Sequence, residues 1–445
     1  MASAPPRAEV TLPYGPDRLT APVPEGWALD VIAPAGPGDL PDLRRTLFDA
    51  LERPLESAPL SQRLPAQGRV LLLLSDHTRR DGKRTLVPLL LEYLAGCGLR
   101  GDRVHLMFAA GTHPPMTAEQ RQAAVGAGPL RAHPHFQHDC QAPARSLGTT
   151  RRGTPVAFNE RLWDYELIIC FSAVTHHYFA GFTGGRKLLL PGAAAQRSIR
   201  ANHRLVLDDG DGAGRRAGVG PGRLVGNPVA EDMAEAAALF DLPVFAAVGV
   251  AGQQPGGFAG LWAGDLEAAH RTACRAYLGW RLQRVERPYG LVLSASGGHP
   301  LDRNLIQAHK GLDNAARLVA PGGIIVHAAA CDEGLGASGL GPWLELSNRA
   351  EHARRLRRDY AIYAQTLLAL RDKAAAARII LVTRLDGDTV RALGMEPADG
   401  LETAIQRALA AMPAEPTTAL FPDASRMLPV PADAAGALLA SVVSC

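Results

Sequence analysis

The sequence predicts an α/β protein of two domains with mostly parallel sheets and an active-site cleft between the domains. Three observations carry that expectation. At 445 residues the chain exceeds the size at which a single hydrophobic core keeps growing. Short, continuous apolar runs of buried-strand length recur along it. Each run is followed by a polar loop and then a helical stretch, the rhythm of βα units.

The elements follow in order. GRVLLLLSD (68–76) reads as a buried strand and TLVPLLLEYLAGCGL (85–99) as the helix after it. RVHLMFAAGTH (103–113) repeats the plan, delivering GTHPPMT and then the helix AEQRQAAVG. ELIICFSAV (166–174) is the third strand, and it delivers HHYFAGFTGGRK (176–187). Residues 208–222 form a glycine-rich loop. A second unit begins between 275 and 288, giving domains of 1–282 and 283–445. Its strand YGLVLSAS (289–296) leads through the turn SGGHP into a helix over 302–320 with Asp302 as N-cap. GGIIVHAAA, ARIILVTR (377–384), a helix over 401–411 and TTALF (417–421) continue the alternation.

Composition narrows the function classes. The net charge is +3, and the 47 Lys and Arg residues are scattered, which argues against a nucleic-acid stripe and leaves small acids as partners. The six cysteines, at 97, 140, 170, 274, 331 and 445, form no CxxC pair and read as buried thiols in a reducing cytoplasm. No signal segment opens the chain and no apolar run is long enough to span a bilayer, so no membrane role is expected.

Ligands of open α/β sheets gather at the carboxyl ends of the strands, so Asp76 to Arg79, His113 and His177 can share one crevice. Segment 176–203 is the densest in chemistry. Gly181, Gly184 and Gly185 let the backbone approach a ligand closely, and Lys187 is the amine in reach. A phosphate-binding P-loop is excluded, because Arg186 and Leu188 flank the lysine where that motif needs Gly and Ser or Thr. Each group also has a plainer reading. Asp76-His77-Thr78-Arg79 fits an Asx turn with a surface arginine, or an arginine fork for a carboxylate held by Asp76. His113 fits a satisfied loop histidine as well as a base. His133, His135 and His138 fit a solvent-exposed loop better than a metal site. Gln307 and Lys310, three apart, share one helix face that could simply be solvated.

Taken together, SDHTR, GTH, HYFAGFTGGRK, SIRANHR and GGHPLDRNLIQAHKG, spread over residues 68 to 335, resemble the signature motifs of the nickel-pincer-dependent lactate racemase family. The resemblance implies racemisation or epimerisation of a 2-hydroxy acid by proton-coupled hydride transfer. It further implies a nickel-pincer nucleotide, pyridinium-3-thioamide-5-thiocarboxylic acid mononucleotide, tethered at Lys187 beside Gly184 and Gly185. His203 would then be the protein ligand to nickel, His113 and His177 the catalytic pair, and Asp76, Arg79, Gln307 and Lys310 the substrate-binding groups. Partners would be the small acid and the enzymes that assemble the cofactor. Imidazole suits both roles, since it titrates near neutrality and ligates nickel in tetragonal sets. The chain departs from the family in carrying His176 before His177 and Ile306 where a tyrosine precedes the glutamine, while His299, His309 and Arg80 add polarity. A cofactor-free protein that binds small acids on the same scaffold is the alternative.

Overall fold

The strand Val70–Ser75 is buried at all six positions and lies in the middle of a six-stranded sheet. A strand covered on both faces needs an unbroken apolar run, which VLLLLS supplies. Across the sheet the order is Phe258–Gly264, Val244–Ala251, Leu167–Ala173, Val70–Ser75, Val104–Ala109, His135–Gln137. All pairs are parallel except the hairpin Val244–Ala251 with Phe258–Gly264 at one edge. Leu74 stands opposite Phe108 on one side and Phe171 on the other. These side chains join Leu86, Leu90 and Leu94 of helix Lys83–Gly96 in one core, each contributing roughly 1.5–3 kcal/mol by leaving water.

Read in chain order, this sheet runs third, second, first, fourth, fifth, sixth strand, so the topology reverses between Val70–Ser75 and Leu167–Ala173. In open α/β sheets the carboxyl ends of two such neighbours are where ligands bind.

The structure is a computed structural model that describes residues 8–442 apart from 34–35, 80, 209, 211–213, 347 and 413–415. Arg80, Cys445 and part of the glycine-rich stretch therefore lie outside the described residues. Contacts divide the chain into two units: Gly36–Val206 with Ala217–Trp280 and Leu438–Cys445, and Arg281–Ala437 with Met1–Ala35 and Leu207–Arg216. The second unit holds its own six-stranded sheet, ordered Glu396–Ala398, Arg378–Val382, Val319–Ala328, Tyr289–Ala295, Thr418–Phe421, Leu29–Val31 and parallel throughout. The α/β class and the mostly parallel sheets match the sequence expectation.

Two details differ. The helix expected over 302–320 is Leu305–Ala315, and its N-cap is Asn304, whose side chain accepts from Gln307 N at 3.0 Å. Asp302 is instead a buried staple, accepting from Gly15 N (2.7 Å) and Ala330 N (3.1 Å). The cysteines also divide: Cys170, Cys274 and Cys331 are buried, but Cys97, just past the end of its helix, is exposed and Cys140 half-buried.

Candidate active site

Ser75 and Ala109 are register partners, so the loops that follow them leave the sheet side by side. Asp76 is 2 % exposed; one oxygen accepts from Thr78 N (3.1 Å) and Thr78 Oγ1 (2.6 Å), and the other accepts from His113 Nδ1. Because a carboxylate can only accept, His113 donates through Nδ1 and keeps its lone pair on Nε2. Burial alone would raise the Asp76 pKa. The hydrogen bond and charge of His113, with the charge of Arg79, outweigh it and hold the carboxyl well below its usual range. Asp76 thus spends its oxygens on Thr78 and His113 and acts on Arg79 through charge.

The same loop contains an ion pair that sequence reasoning missed. Lys83 is 3 % exposed, and its Nζ reaches Asp81 Oδ1 (2.6 Å), Asp76 O (3.0 Å) and Arg79 O (3.0 Å). Three ammonium protons meet three acceptors, which pins the backbone carrying Asp76 and Arg79.

From the neighbouring strand Leu167–Ala173 the chain forms a small hairpin in which His177 faces Gly181, then the tight turn Gly185–Leu188. Gly185 N donates to Ser172 Oγ at 2.9 Å. Gly185 has φ +51°, and a Cβ there would come within 2.4 Å of the ring of His270 on helix Leu266–Arg281, so only glycine fits against it. Arg186 turns inward, 5 % exposed, to Glu267 at 3.2 Å. Lys187 reaches Phe179 instead, its Nζ 5.5 Å from the ring centroid.

Phe179 is the shared wall of the site. Its ring lies edge-on to His177 (4.5 Å between centroids) and to His203 (5.1 Å) as well as near Lys187. Sequence reading passed over it, although its place two residues after His177 inside the motif was a signal. His177 Nδ1 accepts from Ala180 N at 3.3 Å. His203, on helix Gln196–Arg204, is buried, and burial followed by the Lys187 charge pushes its pKa down to about 3. It is therefore a neutral imidazole at ordinary pH, the form a metal requires. The extra histidine His176 is turned to Tyr277, 2.7 Å from the hydroxyl.

Asp76, Arg79, His113, His177, Gly184, Gly185, Lys187 and His203 all belong to the first unit. Gln307 and Lys310 sit on helix Leu305–Ala315 of the second, joined by a 2.6 Å bond from Lys310 Nζ to Gln307 Oε1. His309 does not share their face: it is 1 % exposed, with Nδ1 donating to Ile306 O at 2.7 Å. The histidines at 133, 135 and 138 are not an exposed loop. His135–Gln137 is a strand, and His138 is buried between Ala194 O (2.9 Å) and Asn159 Nδ2 (3.1 Å), its pKa lowered by burial to about 4. Among the described residues no group of three His, Cys, Asp or Glu side chains could hold a metal. His203 beside Lys187 fits a metal whose remaining donors come from an organic group fixed to the lysine.

A family model described as the lactate racemase N-terminal domain matches residues 14–214, and one described as the lactate racemase C-terminal domain matches residues 285–428. A lactate racemase of Thermoanaerobacterium thermosaccharolyticum is 28% identical over 344 residues, covering 76% of this chain and 78% of its own length. A lactate racemase of Lactiplantibacillus plantarum is 28% identical over 418 residues, covering 90% and 95%. The lactate racemase apoprotein structure from T. thermosaccharolyticum superposes with a TM-score of 0.83 at 25% identity, covering 95% of this chain and all of that one. A protein from Thermotoga maritima shares the fold, with a TM-score of 0.65 at 18% identity over 88% of this chain and 99% of its own. No described helix is long and apolar enough to cross a membrane. The chain therefore belongs to the lactate racemase family and is an isomerase.

Proposed function

We propose that the enzyme interconverts the enantiomers of lactate or a related 2-hydroxycarboxylate in the cytoplasm, using a nickel-pincer nucleotide fixed to Lys187 with His203 as protein ligand. The observation that carries this reading is the meeting of Lys187, His203 and His177 on the single ring of Phe179. When bound, the cofactor would supply a place to set down the C2 hydride and recover it on either face. The chain's own residues do the rest. Arg79, whose loop is pinned by Lys83, offers its planar fork to the substrate carboxylate.

Inverting a hydroxyl-bearing carbon this way requires one group to take the hydroxyl proton and another to return it. His113 has its lone pair on Nε2 because Nδ1 donates to Asp76. His177, whose Nδ1 is engaged by Ala180 N–H, carries its proton on Nε2 when neutral. One imidazole is thus set to accept and the other to donate, and the pair exchanges roles for the opposite enantiomer.

The test is co-expression with the cofactor-assembly enzymes. Intact mass should show an adduct and metal analysis about one nickel per chain, with both absent in Lys187→Ala. Either lactate enantiomer should converge to a near-equal mixture, and deuterium at C2 should remain in the product in ordinary water. An adduct that survives in Lys187→Ala, or washout of the C2 label, refutes the reading.

A further inference from the structure

Two buried residues behind His203 have no part in the chemistry described so far. Asn202 and Asp232 are both fully buried. Asn202 Nδ2 lies 2.8 Å from Asp232 Oδ2 and 3.2 Å from Val229 O. Asp232, on helix Pro228–Ala238, also receives Thr150 Oγ1 (2.5 Å) and Thr154 Oγ1 (2.7 Å), hydroxyls from the segment that joins a neighbouring hairpin. The remaining contact is Asn202 Oδ1 with His203 Nδ1, at 3.2 Å.

The direction of each bond follows from its acceptors. The Val229 carbonyl can only accept and the Asp232 carboxylate accepts two hydroxyls, so the Asn202 group facing them is the NH₂. That places Oδ1, which cannot donate, against the ring of His203. Nδ1 of His203 must then hold the proton, and Nε2 holds the lone pair.

We propose that Asn202 and Asp232 are positioning residues for the metal: the relay from Thr150 and Thr154 through Asp232 and Asn202 fixes the His203 ring in its Nδ1–H tautomer, making Nε2 the ligating atom. Ligating histidines ordinarily have their second nitrogen held in this way, and loss of the holder costs about 10–100-fold in metal affinity. An amide stands here between imidazole and carboxylate. It orients the ring without placing a full negative charge on it. The inference rests on the reading that His203 binds nickel.

Two measurements test it. In full-length apoprotein with ¹⁵N-labelled histidine, the His203 resonances, identified by their disappearance in His203→Gln, should show a protonated Nδ1 and a bare Nε2; a protonated Nε2 overturns the proposal, whether or not any relay variant folds. In holoprotein, Asn202→Ala and Asp232→Asn should keep the mass adduct at Lys187 but bind nickel about 10-fold more weakly or worse. Nickel lost in His203→Gln but held at wild-type affinity in both relay variants overturns this proposal alone. Nickel retained in His203→Gln removes the ligand assignment itself, and this inference with it.

Discussion

His113 and His203 make the same gesture with different partners. Each donates Nδ1–H, but His113 meets the Asp76 carboxylate directly whereas His203 meets the Asn202 amide, with the carboxylate of Asp232 one bond further away. The first arrangement sets a carboxylate directly against the ring; the second keeps it one amide away from a buried ring whose pKa is lowered by burial and by the Lys187 charge. In the proposed mechanism, the distance of the negative charge from the imidazole is what separates the proton carrier His113 from the metal ligand His203.

The sharpest way to break that comparison is to remove the rings. His113→Ala and Asp76→Asn should each lower kcat by about 10²-fold or more while nickel content is unchanged, the usual scale for a general base and its orienting partner. Steady-state kinetics with metal analysis on the same preparations decides it. Nickel loss in either variant would place the Asp76–His113 pair on the ligand side.

A third histidine sharpens it further. His327 is buried between two neutral hydroxyls, Ser294 Oγ at 2.8 Å from Nδ1 and Ser296 Oγ at 2.9 Å from Nε2, and burial lowers its pKa to about 3. The unfolded chain takes up the proton near pH 6.5 while the folded one refuses it, so stability is full above that pH and is lost as pH falls toward 3. Between pH 6.5 and 4.5 this one residue should cost the wild type about 2–3 kcal/mol. Urea unfolding of apoprotein should show His327→Asn weaker at pH 7 but with a correspondingly flatter acid limb; an unchanged slope would contradict it.

The smallest effect concerns Arg79. Lysine keeps the charge and loses one arm of the fork, so Arg79→Lys should raise KM for the hydroxy acid by about 5–10-fold with kcat less affected. Identical kinetics would return Arg79 to an ordinary turn residue.

What the sequence disclosed follows from how local each signal was. VLLLLS and LIICFSA announced central strands because burial on both faces leaves an unbroken apolar run. Motif order singled out His113, His177, His203 and Lys187, all of which fall in the first unit. His138 was misread because its partners, Ala194 and Asn159, are far along the chain. The cap at Asn304 was misplaced because Asp302, an equally good capping residue, was already engaged by Gly15 and Ala330. Lys83 was missed although its partners lie within seven residues, because only the path of the folded loop turns two backbone carbonyls and a carboxylate onto its amine.

The fate of Lys83 bears on selectivity. The chain has only four lysines, at 83, 187, 310 and 373, against 43 arginines. Lys83 and Lys373 are buried against Asp81 and Asp313, and the Lys310 amine is bonded to Gln307. Guanidinium groups stay protonated and are poor nucleophiles. An electrophilic acyl group brought to Lys187 as proposed would meet few competing side-chain amines, so attachment there would be favoured by scarcity as much as by fit.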